Sequence, residues 1–413
     1  MTEEQFLKAL EPNKSDTLKK GAWERLMEIG PPSKLEAFQY VPLRAFYTHS
    51  FAPSSLQKVD VTSHVYKECR NACLVFVDGH FSKELSDISG LPSQCVVLDL
   101  NEAAFSFSAY LQNRHRQLQV NEKDPFALIN TCHHKSGAFV YLPAKVVSPI
   151  PLQILSFVTK GVQCYPRVHL FLGAHSQLRL IAKTIGEESF LNDFIDIALD
   201  EGAKMDYFAA FKSSSWHFSS LRAQLKRDSH LNVVSLVKGS KMTRQSIQVT
   251  LNKENSEALV RGISLLDATH QSHTHILLEH KAPHTRSQQL FKNVLNDLSR
   301  SSFEGKIFVE RIAQKTAAYQ MNRNLLLSEG AIAYSKPNLE IFADDVKASH
   351  GATVSPLNQE ELIYLKSRGL LQEDAQKLLL LGFCKEVIDY FPKELSLYSE
   401  MMEMLKSYPH SKI

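Results

Sequence analysis

The sequence predicts a mainly β fold: a long strand-rich body, preceded by a mixed helical and α/β region and followed by a helical tail. Three observations predict it. Strand-like pieces recur through the middle of the chain with starts roughly 10–17 residues apart. Little between them has helical spacing. The apolar pattern then changes near residue 350 from a period of two to one of 3.6. The expected regions are 1–150 (mixed), 151–350 (β core) and 351–413 (helical).

Residues 1 to about 30 read as helix, with Ser15 as a candidate N-cap, Leu18, Ala22, Leu26 and Ile29 on one face, and Gly30, Pro31 and Pro32 as the stop. In the rest of the first region, ACLVFVDGHFS and QCVVLDLNE are strand-like, while AAFSFSAYLQNRHRQLQV has helical character. The middle carries VHLFLGAH, QLRLIAKTIG, DFIDIALD, KMDYFAAFK, WHFSSLRAQL, NVVSLVKG, QSIQVTLN, LVRGISLLD, HTHILLEH, KIFVERI and LEIFADD, with one longer insertion after His280. Alternation in the first two implies one buried face per strand. Residues 160–350 contain no Asn-Gly or Asp-Gly dipeptide. That leans toward strands stacked as coils of a solenoid over a hairpin sandwich, without deciding between them.

The stretch from Lys336 to Gly369 joins body to tail. Leu339, Ile341 and Ala343 alternate as in a strand, Asp344 and Asp345 end the pattern, and His350 beside Gly351 follows a short extended piece near Val346. A helix then begins at the N-cap Asn358, with Glu361 at the third position and Leu362, Tyr364 and Leu365 on its apolar face. Arg368 suits the last turn and Gly369 the left-handed C-terminal conformation. Beyond it, Ala375, Leu379, Phe383, Val387 and Phe391 form a stripe widened by Leu378, closed by Pro392. Tyr398, Met401, Met402 and Leu405 indicate a third tail helix.

Composition excludes several function classes. At 413 residues the chain exceeds what one core usually serves, so two or three domains are expected. Forty-seven Lys and Arg against 44 Asp and Glu leave a formal charge of +3 with no long block of one sign, which argues against a nucleic-acid partner. The acidic start MTEEQFLKALEP does not read as a secretory leader. The apolar run Leu378–Cys384 is far below the roughly 20 residues that span a bilayer. With six scattered cysteines, these features predict a cytoplasmic protein with reduced thiols and no membrane partner. There is no GxxxxGK[ST] loop, GxGxxG turn, GxSxG elbow or HExxH helix, so no nucleotide or hydrolase chemistry is written in the chain.

Among candidate metal ligands, His350 comes first, since neutral imidazole binds iron and zinc and its place at a strand end beside Gly351 offers access. A structural histidine is the simpler reading from the residues alone. His270, His273, His275, His280 and His284 lie close in sequence. His273 and His275 share a strand face, but no thiolate or carboxylate completes a tetrahedral set, so polar packing or an interface is the expected use. Cys132-His133-His134 and the Cys69, Cys73 pair lack metal-site spacing, and Cys384 reads as core.

LEIFADDVKASHGATV followed by ELIYLKSRGL resembles the signature of the SufB/SufD family, the scaffold proteins of SUF iron–sulphur cluster assembly. HKAPHTRSQQLFKNVL, AQKTAAYQMNRNLLLS and, more loosely, WERLMEIGPPSKLEAFQYVPL resemble the same family in the same order. The resemblance implies a right-handed parallel β-helix core and a non-catalytic scaffold pairing with a SufB-type paralogue. It also implies a transient iron–sulphur cluster near the subunit interface, with His350 contributing. Family members often carry a cysteine where this chain has Ala348, so a thiolate there is excluded. SufB-type chains place a cysteine in the strand matching AYQMNRNLLLS, where this chain has Met321, Asn322 and Arg323; the resemblance is therefore to the SufD-type subunit. Energy is implied to come from a SufC-type ATPase docked on the tail, with Tyr364, Arg368 and Phe383 in the contact. A homodimer and a flavin are left open. The rival readings are a β-helix lyase or acyltransferase using His284 or His350 as general base, and a purely structural interaction protein.

Overall fold

The computed structural model describes residues 2–12, 17–55, 57 and 59–408. It opens with α1 (Glu3–Ala9), started by a capping box in which Thr2 accepts from the backbone of Gln5 and the Gln5 side chain accepts from Thr2. Helix α2 (Thr17–Ile29) buries Ala22 and Leu26 and stops at Gly30, at φ +85°. Two helices thus stand where the sequence predicted one, and Ser15 lies outside the described residues. The short α3 (Arg44–Tyr47) delivers Phe46 to a ring cluster with Phe190, Trp216 and Phe218. Each such buried ring contributes about 1.5–3 kcal/mol.

After β1 (Ala52–Pro53), strands β2 (Cys73–Val77) and β3 (His80–Asp87) form an antiparallel hairpin. Asp78 and Gly79 turn it, both at positive φ, as a tight two-residue turn requires. Next come β4 (Val96–Asp99), α4 (Leu100–Ser106), α5 (Ser108–Asn121), α6 (Pro125–His133) and β5 (Ala138–Leu142).

The body is a parallel β-solenoid of about 8 turns. Its strands are β6 (Leu152–Val158), β7 (Val162–Cys164), β8 (Arg167–Leu172), β9 (Gln177–Leu199), β10 (Lys204–Lys212), β11 (Ser214–Leu225), β12 (His230–Lys238) and β13 (Met242–Leu251). They continue as β14 (Glu257–Leu266), β15 (Gln271–His280), β16 (Arg286–Leu295), β17 (Arg300–Val309), β18 (Thr316–Leu326), β19 (Ile332–Ile341) and β20 (Val346–Pro356). The even-numbered strands from β10 to β20 stack in one sheet and the odd-numbered from β11 to β19 in the other, each from β12 onward pairing in register with the strand two before it. Strand β9 turns the corner and serves both sheets, pairing β10 with its first half and β11 with its second. The insertion expected after His280 is itself the strand β16.

A hydroxyl marks the same corner of five of the coils, with Ala203 in that place between Ser176 and Ser229. The side chains of Ser176, Ser229, Ser256, Thr285 and Thr316 each donate to the carbonyl three residues earlier, closing the turn that feeds the next strand. This device replaces the hairpin dipeptides that are missing from the sequence.

Both outer faces of the solenoid are covered along most of its length, which corrects the expectation of one buried face per strand. The N-terminal region covers one sheet, with Leu7, Phe46 and Phe126 against Phe190, Trp216 and Phe218. The tail helices α7 (Gln359–Ser367), α8 (Gln372–Ile388) and α9 (Ser396–Lys406) cover the other, with Leu380, Val387 and Met401 against Phe208, Val234 and Leu290. The regions are not separate bodies: β2 pairs with β6, so the solenoid's first coil draws on the N-terminal region, and β20 carries its last coil through residue 350 to Pro356.

Three buried Arg–carboxylate pairs fasten the N-terminal cover. Arg114 of α5 reaches Asp196 at 2.8 Å, Arg222 reaches Glu122 at 2.8 Å, and Arg244 reaches Asp124 at 2.5 Å. Burial opposes ionisation of Asp124, yet Arg244 and Arg222 beside it hold its carboxyl at about 2. Asp196 is likewise held far below the usual carboxylate range by Arg114 and His169 against the opposing effect of burial.

Candidate functional site: an open last coil and a helical handle

No further strand among the described residues caps the end of the solenoid. Among the described residues β20 pairs along one edge only, with β18, and β19 pairs only with β17. A terminal coil of this kind presents unpaired backbone donors and acceptors to any strand that approaches. Phe342 and Ile312 stand exposed beside it and line a groove with Phe308, Glu310, Arg311 and Asp344.

His350 lies within this coil and is exposed. It sits inside β20 rather than at a strand end, because the backbone keeps its register with β18 as far as Leu326 and Pro356, and Asn324 donates to the Thr353 carbonyl. Its register partner is Gln320, and partners in a parallel sheet point to the same face. Gln320 is interior, so His350 belongs to the inward-facing row and is accessible only because no further coil covers it. Gly351 points the opposite way, where an added Cβ would fall 2.8 Å from the Met321 methyl. Ala348, two residues before His350, shares its face and offers no ligand atom. Asp344 and Asp345 are exposed in the turn before β20; the backbone of Asp345 is held by Lys315 and Gln314.

The other histidines do not join this site. His280 is sealed in the interior, bonded to Thr285 and Ser287 at 2.7 and 2.8 Å, and burial pushes it down to about 4. His284 is exposed at a corner with φ +59°, so the HKAPH pair does not converge. His273 and His275 do share a face, as their spacing predicts, but beneath the N-terminal cover. There His273 meets Ser302 at 2.7 Å, and burial lowers the two to about 3 and about 4. His133 reaches the Leu10 carbonyl at 2.7 Å and Cys132 lies against the Lys19 carbonyl, so the Cys-His-His run anchors the first helices. Cys69, Cys73, Cys95, Cys164 and Cys384 are free thiols; burial pushes Cys73 and Cys384 up to about 12. Among the described residues no three His, Cys, Asp or Glu side chains gather in a metal-holding group.

A groove of about 700 Å³ runs between the N-terminal cover and the outer face of the odd-numbered sheet, past Arg222, Gln248, His275, Glu304 and Lys306. Several of its charges are already matched, Arg222 with Glu122 and Lys306 with Glu340.

The second candidate surface is the tail. Asn358 caps α7 by accepting from Glu360 and Glu361, and Gly369 takes φ +92°, both as the sequence predicts. Leu362 is buried, whereas Ile363 is 65% and Tyr364 58% exposed, and Leu371 in the following link is 74% exposed. The Arg368 guanidinium lies 5.1 Å from the Tyr364 ring centre. Tyr364, Leu365, Leu378 and Leu379 line an open apolar groove of about 400 Å³ rimmed by Glu360 and Glu361.

Phe383 faces elsewhere. It is half-buried against β16, with the Lys292 ammonium 4.8 Å from its ring centre and 2.7 Å from its carbonyl oxygen. The stripe expected on α8 and just beyond it is largely covered: Ala375, Val387 and Phe391 are buried and Leu379 and Phe383 half-buried, joined by the buried Leu380 and Cys384, while Leu378 is exposed. Among the described residues no helix is long and apolar enough to cross a membrane.

Residues 156–383 match the family model for the SUF system FeS cluster assembly SufBD core domain, and residues 2–154 match that for the SufBD protein N-terminal region. The chain is 29% identical over 395 residues to an iron–sulfur cluster assembly SufBD family protein of Synechocystis, covering 91% of this chain and 87% of that one. It is 28% identical over 390 residues to the iron–sulfur cluster assembly protein SufD of Escherichia coli, covering 89% and 86%.

Proposed function

Because the chain belongs to the SufBD family of iron–sulphur cluster assembly proteins, we propose that it is a SufD-type scaffold subunit whose open last coil pairs with a SufB-type paralogue. The nascent cluster is cargo, built at the seam between the two chains with His350 as this chain's ligand. Thiolates, the preferred ligands of a forming cluster, come from the partner, since Ala348 and Met321 supply none here. A SufC-type ATPase binds the tail at Tyr364 and Arg368, and its ATP-driven movement is passed to the seam through the helices packed on β16 and β18. Unpaired thiols suit a reducing compartment such as the cytoplasm.

The observation that carries this reading is the unpaired edge of β20 with an exposed imidazole in its inward row. Edge-to-edge strand pairing supplies affinity through main-chain hydrogen bonds, and the inward row then becomes shared between the chains. The test is co-purification with a SufB-type and a SufC-type protein, followed by cluster reconstitution. His350→Ala is expected to leave the complex intact and lower cluster yield; unchanged yield would instead favour a structural histidine. Removing residues 357–413 is expected to abolish ATPase capture, and undiminished capture rejects the tail assignment.

A further inference from the structure

The row that ends in His350 changes chemistry as it approaches the open coil. Going up the even-numbered sheet, register partners run from Tyr207 to Val233, Val260, Gln289, Gln320 and His350. Val233 and Val260 are buried core residues, as an interior row requires. The two amides that follow are just as buried, Gln289 at 1% and Gln320 at 2% exposure, and neither side-chain nitrogen nor oxygen of either has a hydrogen-bond partner. Sealing polar atoms unpaired is unfavourable, and a valine would fit the row, so the amides need another reason to be there.

The opposite sheet makes room for them. Gly305 faces the pair, and an added Cβ there would fall 1.8 Å from Gln320 Nε2 and 2.6 Å from Gln289 Oε1. The two amides therefore meet over a glycine notch, and the atoms nearest it are the nitrogen of Gln320 and the oxygen of Gln289. The Gln320 oxygen is likewise unpartnered, and its register partner up the row is His350.

We propose that Gln320 is the positioning residue for His350: its amide oxygen accepts the N–H of one imidazole nitrogen, its amide nitrogen donates to Gln289, and the second imidazole nitrogen is thereby held unprotonated toward the open end. Strand neighbours lie within hydrogen-bonding reach of long side chains, and the exposed ring is free to turn onto the amide. A fixed tautomer is what a ligating histidine gains from an outer hydrogen bond. The inference rests on the cluster role proposed for His350, but its first readout does not.

In the full chain labelled with 15N-histidine, long-range 1H–15N spectra report the tautomer of each ring, and His350→Ala identifies the signals of interest. One tautomer is expected for His350 in the unmodified chain, a mixture in Gln320→Leu, and a single tautomer again in Gln320→Glu, which keeps an acceptor. Leucine suits a row already holding valines, and circular dichroism checks that the variant folds. Identical His350 signals in the unmodified chain and Gln320→Leu overturn the proposal. In the reconstituted complex, Gln320→Leu is expected to lower cluster yield about tenfold with recovery in Gln320→Glu; a yield sensitive to His350→Ala but indifferent to Gln320→Leu also overturns it. A yield indifferent to His350→Ala sinks the ligand role proposed for His350 alone, and the tautomer still decides whether Gln320 holds the ring.

Discussion

Lys292 on β16 places its ammonium 2.7 Å from the Phe383 carbonyl oxygen and 2.6 Å from the Glu386 carboxylate, so one buried cation ties the middle of α8 to the solenoid. The pairing holds Glu386 below its ordinary pKa, chiefly through its hydrogen bond to Lys292. Lys292→Met is expected to destabilise the protein by about 1–3 kcal/mol, since it strands a carbonyl that had a charged donor. Hydrogen exchange should locate the loss in α7 and α8 rather than in the strands. Uniform loss across the chain would contradict a local tether.

The exposed and the half-buried members of the tail surface should separate by experiment. Tyr364→Ala and Ile363→Glu are expected to weaken ATPase binding by about 30-fold or more, the effect of losing a central interface anchor near 2 kcal/mol, with little change in thermal midpoint. Phe383→Ala should do the reverse, lowering stability by about 1–2 kcal/mol through lost packing, less than a fully buried ring because Phe383 is half-buried. Calorimetric titration with the ATPase and thermal unfolding of the same variants distinguish the two.

Removing one member of the buried clasp should release the N-terminal cover. Asp196→Asn leaves Arg114 and His169 without their anion, and breaking a buried pair costs about 3–5 kcal/mol. Limited proteolysis is expected to cut within residues 1–150 of the variant while the strands after β10 stay protected. A cleavage pattern like that of the unmodified chain would reject the clasp.

Acid should weaken the fold well before its carboxylates protonate. His273, His275 and His280 are held by burial at about 3, about 4 and about 4, against about 6.5 in an unfolded chain. Between those values the unfolded state binds protons that the folded state refuses, so stability falls as pH drops from about 6.5 to about 4. Urea midpoints at pH 7 and pH 5 measure this. His280→Gln, which can still bond Thr285 and Ser287, should flatten the difference, and an unchanged slope would exclude His280 from the effect.

Much of this molecule is legible locally. The caps at Asn358 and Gly369 appear where their residue types place them, because the start of a helix is satisfied by a side chain two or three positions away and its end by a residue that tolerates positive φ. The strand β16 was hidden because SQQLFKNVL carries polar residues on an interior row, where Gln289 interrupts the apolar alternation. The stripe on α8 was legible in Ala375, Val387 and Phe391, which are buried, but the exposure of Leu378 was not, because spacing alone does not say which edge of an apolar stripe the neighbouring elements cover.

By itself the sequence determined the strand-rich body, the three tail helices and the resemblance carried by the segment around His350, since these depend on residue type and short-range spacing. Tertiary structure decided that the strands coil into a solenoid buried on both outer faces, that β20 runs through His350, and that Gln289 and Gln320 stack beneath it. Those facts depend on pairing between residues 26 to 32 positions apart, which sets each neighbour only when successive coils close on one another.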